Sequence, residues 1–217
     1  MKKGTRPRTP PRGKERDRER FTDHHVRDDR KERANRHSDL TEPALIWSED
    51  TLYDRLTNHP DGFVLILDCI QDPHNLGACM RSADAAGVLA VISPKDKSVG
   101  LTDAARRVVC GATENTPFVQ VTNLARTLTR LKELGLWLVG TADDAEQTLH
   151  EADLKGPLGI VMGAEGTGLR RLTKEHCDFL VTIPMASSRK VDCLNVSVAT
   201  GVTLFEALRQ RTSEKVH

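Results

Sequence analysis

The sequence predicts an α/β domain built on a mostly parallel sheet of six strands, with helices on both faces. Two observations carry this reading. Six short apolar runs, Phe63–Leu67, Val88–Ile92, Phe118–Val121, Leu136–Gly140, Leu158–Met162 and Phe179–Ile183, lack the polar alternation of half-exposed strands, as strands buried on both faces do. Helical patterns lie between the runs, and strand–helix alternation marks a parallel sheet covered on both sides.

Taken in order, the chain opens on a charged stretch. Residues 1–40 hold fourteen Lys and Arg against eight Asp and Glu, a net charge of +6, while the remainder carries −5. Only Met1, Phe21, Val26, Ala34 and Leu40 are hydrophobic there. They cannot offset the entropy of ordering about forty residues, so a disordered basic arm is expected. It reads either as a solubilising tail or as an electrostatic arm for nucleic acid. Arginine, its commonest basic residue, suits phosphate geometry, whereas the acids interleaved in RDDRKER lower the field.

Residues 41–62 read as a lead-in: Ser48 caps a short helix carrying Leu52, Tyr53 and Leu56, and Pro60-Asp61-Gly62 is a turn. The main domain is expected over 63–213. After the first run a helix places Leu76, Met80 and Ala83 on one face, with Gly87 beyond it. Leu101–Cys110 reads as helix. Asn123 caps a helix striped by Leu124, Leu128, Leu131 and Leu134 and ended by Gly135. Residues 141–156 show little pattern beyond a turn of helix near Leu149, and a helix is expected over 168–177. Pro184 stops the last strand. A final helix follows Leu194 and Asn195, with Val198, Val202, Phe205 and Leu208 as its apolar residues and Leu204 and Leu208 offered to a partner. Gly201 inside it, costing about 1 kcal/mol against Ala, suggests a close backbone crossing.

Several chemistries are excluded. Five cysteines, an odd number without a CxxC pair, fit reduced thiols in a cytosolic protein. His176-Cys177 has no companions at ligand spacing, so no metal is expected. No stretch approaches the ~18 apolar residues of a membrane span, and no apolar segment follows the basic start as in a secretory signal. A P-loop motif is missing. In GAEGTG, residues 163–168, a glutamate at Glu165 would repel a dinucleotide pyrophosphate. His74 reads as shaping a loop, and Ser197 lacks the partners of a hydrolase triad in sequence.

Open parallel sheets bind ligands beyond the C-terminal ends of their strands. The segments placed there are DPHNLGACMRSADAAG from Asp72, GTA from Gly140, GAEGTGLRRL from Gly163, and IPM from Ile183 leading to LNVSVATG from Leu194. Together these resemble the three motifs of the TrmH-type branch of SPOUT RNA methyltransferases, in order and spacing, over about Phe63 to Arg211. VTNLART, RRLTKEHCD and ATGVTLFEALRQR make the chain most similar to the subgroup that methylates a guanosine ribose in large-subunit ribosomal RNA.

The resemblance implies a SPOUT fold whose C-terminal segment is threaded into a trefoil knot, a rare exception to unknotted topology. It implies S-adenosylmethionine as methyl donor, RNA as substrate and a homodimer in the cytoplasm. By the same resemblance Gly163, Ile183 and Leu194 hold the cofactor through backbone groups, and Thr141, Met185 and Asn195 line its pocket. Arg81 activates the ribose 2′-hydroxyl, while Asn75, Glu165 and Ser197 hold Arg81 and the RNA backbone. Arginine keeps its proton at physiological pH, so a guanidinium that grips the phosphate and polarises the hydroxyl requires no deprotonation.

The motifs leave the target RNA open: a ribosomal RNA, a transfer RNA, or RNA bound without turnover. Relatives carry a further N-terminal RNA-binding domain ahead of this region. The loop from Ala186 to Cys193 is two residues longer than in close relatives and holds Arg189, Lys190, Val191 and Asp192 where they carry small residues.

Overall fold

A computed structural model describes residues 44–109, 115–186 and 193–213. The expected arm over 1–40, Cys110 and most of the loop over 186–193 lie outside the described residues. In chain order the elements are β1 (Ile46–Trp47), α1 (Glu49–Thr57), β2 (Phe63–Leu67), α2 (Pro73–Ala85), β3 (Ala90–Pro94), α3 (Asp103–Val109), β4 (Phe118–Val121), α4 (Leu124–Glu133), β5 (Trp137–Thr141), β6 (Gln147–Thr148), β7 (Leu158–Met162), α5 (Arg171–His176), β8 (Phe179–Thr182) and α6 (Val196–Ser213).

The strands form one sheet in the order β1-β4-β3-β2-β7-β5-β8-β6. Every pair is parallel, so the sheet is wholly rather than mostly parallel. It has eight strands among the described residues, not the six expected. The two additions are two-residue edge strands, β1 beside β4 and β6 beside β8. Two residues are too few to display any periodicity. The segment expected as a lead-in therefore supplies one edge of the sheet, and α1 lies over it. The second strand begins at Ala90 rather than Val88, because the Val88 N–H is used to close α2, donating to the Ala83 carbonyl at 2.9 Å. The helix expected over 168–177 is shorter, and the residues before it form a turn.

Alternation along the strands divides the core. Phe63, Leu65 and Leu67 of β2, with Leu158, Ile160 and Met162 of β7, face α2, α3 and α6. Val64, Ile66 and Val161 point the other way, toward α1 and α4. Ser48 and Asn123 cap their helices as expected, accepting from Thr51 N and Arg126 N at 3.1 Å each. The cap of α2 is Asp72, which accepts from His74 N at 2.9 Å, with Pro73 in the first turn where its missing N–H costs nothing. Among the described residues no helix is long and apolar enough to cross a membrane.

The last helix is rotated from the expected orientation. Val196, Thr200, Thr203, Leu204, Ala207 and Gln210 are buried, while Val198, Val202 and Phe205 are 51%, 38% and 49% exposed. Leu204, expected on a partner surface, is fully buried. Threonines can face the core here because their hydroxyls are satisfied within the helix: Thr200 donates to the Val196 carbonyl at 2.7 Å and Thr203 to that of Ala199 at 2.9 Å. Gly201 meets no backbone crossing; a Cβ there would lie 3.6 Å from Ser82 Oγ of α2, an ordinary contact. At its far end α6 is fastened by Arg211, which donates to the Gly156 carbonyl and, at 2.7 Å, to that of Asp61, with its guanidinium 5.0 Å above the Phe63 ring.

Candidate functional site

Four of the polar residues expected at the site, Asn75, Glu165, Asn195 and Ser197, meet beyond the C-terminal ends of β2 and β7 at the start of α6. β7 ends at Met162, and the chain reverses at once. Ala164 N donates to the Gly168 carbonyl at 3.1 Å and Gly168 N returns to that of Ala164 at 2.9 Å. Gly166 and Gly168 take φ of +78° and +63°, the left-handed region that glycine enters without strain. Gly163 is closed in by this turn: a Cβ on it would stand 2.2 Å from Gly168 C and 2.3 Å from Leu169 N. Only a glycine leaves room for the reversal.

The tip of the turn carries Glu165 into a junction of three segments. Asn75, nearly buried in the first turn of α2, donates through Nδ2 to Glu165 Oε2 at 3.3 Å. Asn195 Nδ2 donates to Asn75 Oδ1 at 3.1 Å and to Glu165 Oε1 at 3.0 Å. Ser197 completes the group, its N–H and hydroxyl both donating to Asn195 Oδ1, at 2.9 and 2.6 Å. Asn75, Glu165, Asn195 and Ser197 are thus one hydrogen-bonded unit assembled from positions up to 122 residues apart, Asn75 and Ser197 being the outermost.

Arg81 lies on the same helix as Asn75. Six residues separate it from Asn75, which turns it by about 120° around the axis. It is exposed, on the side of α2 away from the core. Helix α6 packs beside α2 through Cys79 and Thr200, whose side chains are 3.4 Å apart. The other expected residues line the ends of neighbouring strands. Thr141 closes β5 half-buried, with Oγ1 3.5 Å from the Val161 carbonyl. Ile183 follows β8 half-buried, Met185 is 36% exposed, and Leu194 and Asn195 lead into α6. Gly140, beside Thr141, is tightly surrounded: a Cβ would lie 2.7 Å from Leu180 Cδ2 and 2.8 Å from Cys177 Sγ, so those side chains would have to shift.

One pair at this edge escaped the reading from sequence. Asp68, fully buried, is bonded to Arg170 just beyond the turn. Its signal was a carboxylate placed directly after an unbroken apolar strand. The hydrogen bond that Arg170 donates to Asp68 raises its guanidinium pKa further. Burial pushes the thiol of Cys177 up to about 12, so it stays protonated. Among the described residues no group of three or more His, Cys, Asp or Glu side chains stands together as metal ligands would.

The profile of the SpoU rRNA Methylase family matches residues 62–205. The chain is 61% identical over 176 residues to the 23S rRNA (guanosine-2'-O-)-methyltransferase RlmB of Pseudomonas syringae pv. tomato, a match covering 80% of this chain and 69% of that protein. Among solved structures it is similar to the SpoU methyltransferase AviRb from Streptomyces viridochromogenes in complex with AdoMet, at TM-score 0.67 and 29% identity, covering 74% of this chain and 64% of that one. It is also similar to the TrmH/SpoU tRNA modifying enzyme of A. aeolicus, at TM-score 0.64 and 28% identity, covering 77% of this chain and 86% of that one. With an all-parallel α/β sheet and a family match spanning well over half its length, the chain belongs to the SpoU rRNA Methylase family.

Proposed function

We propose that this chain is an S-adenosylmethionine-dependent RNA 2′-O-methyltransferase acting on a guanosine ribose of 23S ribosomal RNA in the cytoplasm. The observation that carries the reading is the junction of Asn75, Glu165, Asn195 and Ser197 at the C-terminal edge of a parallel sheet, where such sheets take ligands. The identity to a protein named for that reaction supports the substrate.

The residues at the ends of β7, β5 and β8 fit the cofactor. Gly163 lets the turn close tightly at the end of β7, Ile183, Met185 and Leu194 offer apolar surface, and Thr141 and Asn195 supply hydrogen-bonding groups. When bound, S-adenosylmethionine supplies an electrophilic methyl group on a sulfonium. The protein's part is orientation, since aligning two reactants can remove about 7–11 kcal/mol of a barrier. In this reading Gly163, Ile183 and Leu194 hold the cofactor by backbone groups. Asn75, Glu165 and Ser197 keep the RNA backbone in place, and Arg81 grips the target phosphate and polarises the 2′-hydroxyl.

Two further features belong to the reading. The contacts of Asn195 with Asn75 and Glu165 bring the chain after β8 back between two earlier segments, which supports a knotted C-terminus. Val198, Val202 and Phe205 form an exposed apolar stripe at helical spacing on α6. It supports a homodimer with the stripe at the interface, and Arg81 lies on the outward side of the neighbouring helix.

The test is direct. Ribose methylation is mapped on protein-free 23S ribosomal RNA after incubation with the purified chain and S-adenosylmethionine. One new 2′-O-methylguanosine is the expected result. Methylation of transfer RNA alone would overturn the substrate, and no heat of cofactor binding at millimolar concentration would leave a binding factor without turnover.

A further inference from the structure

We infer that Asp68 and Arg170 are positioning residues that set the height of the turn over 163–170, and through it the cofactor-facing backbone at Gly163. The inference rests on the methyltransferase reading and deepens it. Asp68 is the first residue past β2 and is fully buried. Its N–H donates to the Met162 carbonyl at 2.8 Å, extending the β2–β7 ladder by one rung to the point where the turn begins. Its carboxylate takes three bonds from one residue: Oδ1 accepts from Arg170 Nε at 2.8 Å and from a terminal guanidinium nitrogen at 2.6 Å, and Oδ2 accepts from the Arg170 backbone N–H at 3.2 Å.

A buried carboxylate must be paired, yet an apolar residue would fill this place without that demand. What the pair adds is geometry. Side chain and backbone of Arg170 are fixed together, so the point where the chain leaves the turn is held against the end of β2. The opposite end of the same two segments is tied by Asn75 to Glu165. The segment from Asp68 to Asn75 therefore grips the turn at its base and at its tip. Between these ties Cys69 holds φ at +65°, a conformation that a non-glycine residue keeps only when its surroundings impose it.

The experiment compares wild type, Arg170→Gln and Arg170→Lys by calorimetry with S-adenosylmethionine, by RNA affinity and by steady-state kinetics. Arg170 is partly exposed, which favours folded variants, and Arg170→Lys keeps the charge but cannot donate from two points of a planar fork. Expected are a cofactor Kd about tenfold weaker in Arg170→Gln and at least about threefold weaker in Arg170→Lys. RNA affinity should stay within about twofold of wild type, because a shifted cofactor cradle alters one ligand and not the other. Cofactor affinity within about twofold of wild type in Arg170→Lys overturns the inference. So does a loss shared equally by cofactor and RNA that follows the fraction unfolded. A wild-type protein that binds no S-adenosylmethionine would instead sink the methyltransferase reading itself.

Discussion

Asn195 Nδ2 donates to Glu165 Oε1 at 3.0 Å, which fastens the residue before the last helix to the tip of the turn after β7. The same amide also reaches Asn75 Oδ1 at 3.1 Å, so the start of α6, the β7 turn and the first turn of α2 share one donor. Replacing it disturbs all three. Asn195→Ala should cost about 1–2 kcal/mol of stability and weaken S-adenosylmethionine about tenfold. Chemical denaturation and calorimetry measure the two effects, and a variant matching wild type in both would remove the junction from the site.

Gly163 permits no side chain. With Gly168 C 2.2 Å from where a Cβ would lie, Gly163→Ala must open the turn. The expected cost is about 2 kcal/mol, in the range of overpacked interiors, together with loss of cofactor binding. Thermal melts with and without the cofactor report both; a retained ligand-induced shift in melting temperature would contradict the assignment.

Arg81 is exposed on α2 and lies outside the buried hydrophobic cluster. Arg81→Ala should therefore fold normally and bind S-adenosylmethionine within about twofold of wild type, while turnover falls by roughly a hundredfold or more. Near-normal turnover would show that the 2′-hydroxyl is activated elsewhere.

The stripe of Val198, Val202 and Phe205 lies outside the core. Phe205→Asp should leave the monomer intact and abolish self-association, read by sedimentation velocity. An unaltered dimer would move the interface to another face.

Glu206 faces Arg209, with oxygen–nitrogen distances of 2.7 and 2.9 Å, and also accepts from Gln210. These bonds hold its carboxyl down to about 2. A depressed carboxylate contributes stability that is complete above its ordinary value near 4.5 and is lost as pH falls through about 2. Arg209→Ala should flatten that part of the stability profile between pH 4.5 and 2 and leave neutral pH little altered. Acid titrations of both proteins, followed by circular dichroism, would show whether the two curves separate there.

Much of the architecture was legible in order of residues. Continuous apolar runs at Phe63–Leu67 and Leu158–Met162 announce strands covered on both faces, and they pair side by side in full register. Caps at Ser48 and Asn123 follow from side chains that can accept a backbone N–H one turn on. Asn75, Glu165, Asn195 and Ser197 stand in motifs that resemble those of a known family, and all four fall in one hydrogen-bonded group. The edge strands Ile46–Trp47 and Gln147–Thr148 were not legible, because two residues carry no period and their pairing is chosen by the partner strand.

What the sequence by itself determined is the alternation of buried strands and capped helices, since both arise from local hydrophobicity and hydrogen bonding. Only the tertiary structure decided which face of the last helix turns inward: Thr200 and Thr203 enter the core because each hydroxyl finds a carbonyl one turn back, and Val198, Val202 and Phe205 are left outside. It alone also joined Asp68 to Arg170 across 102 residues, since a buried charge declares its partner only when the chain has folded around it.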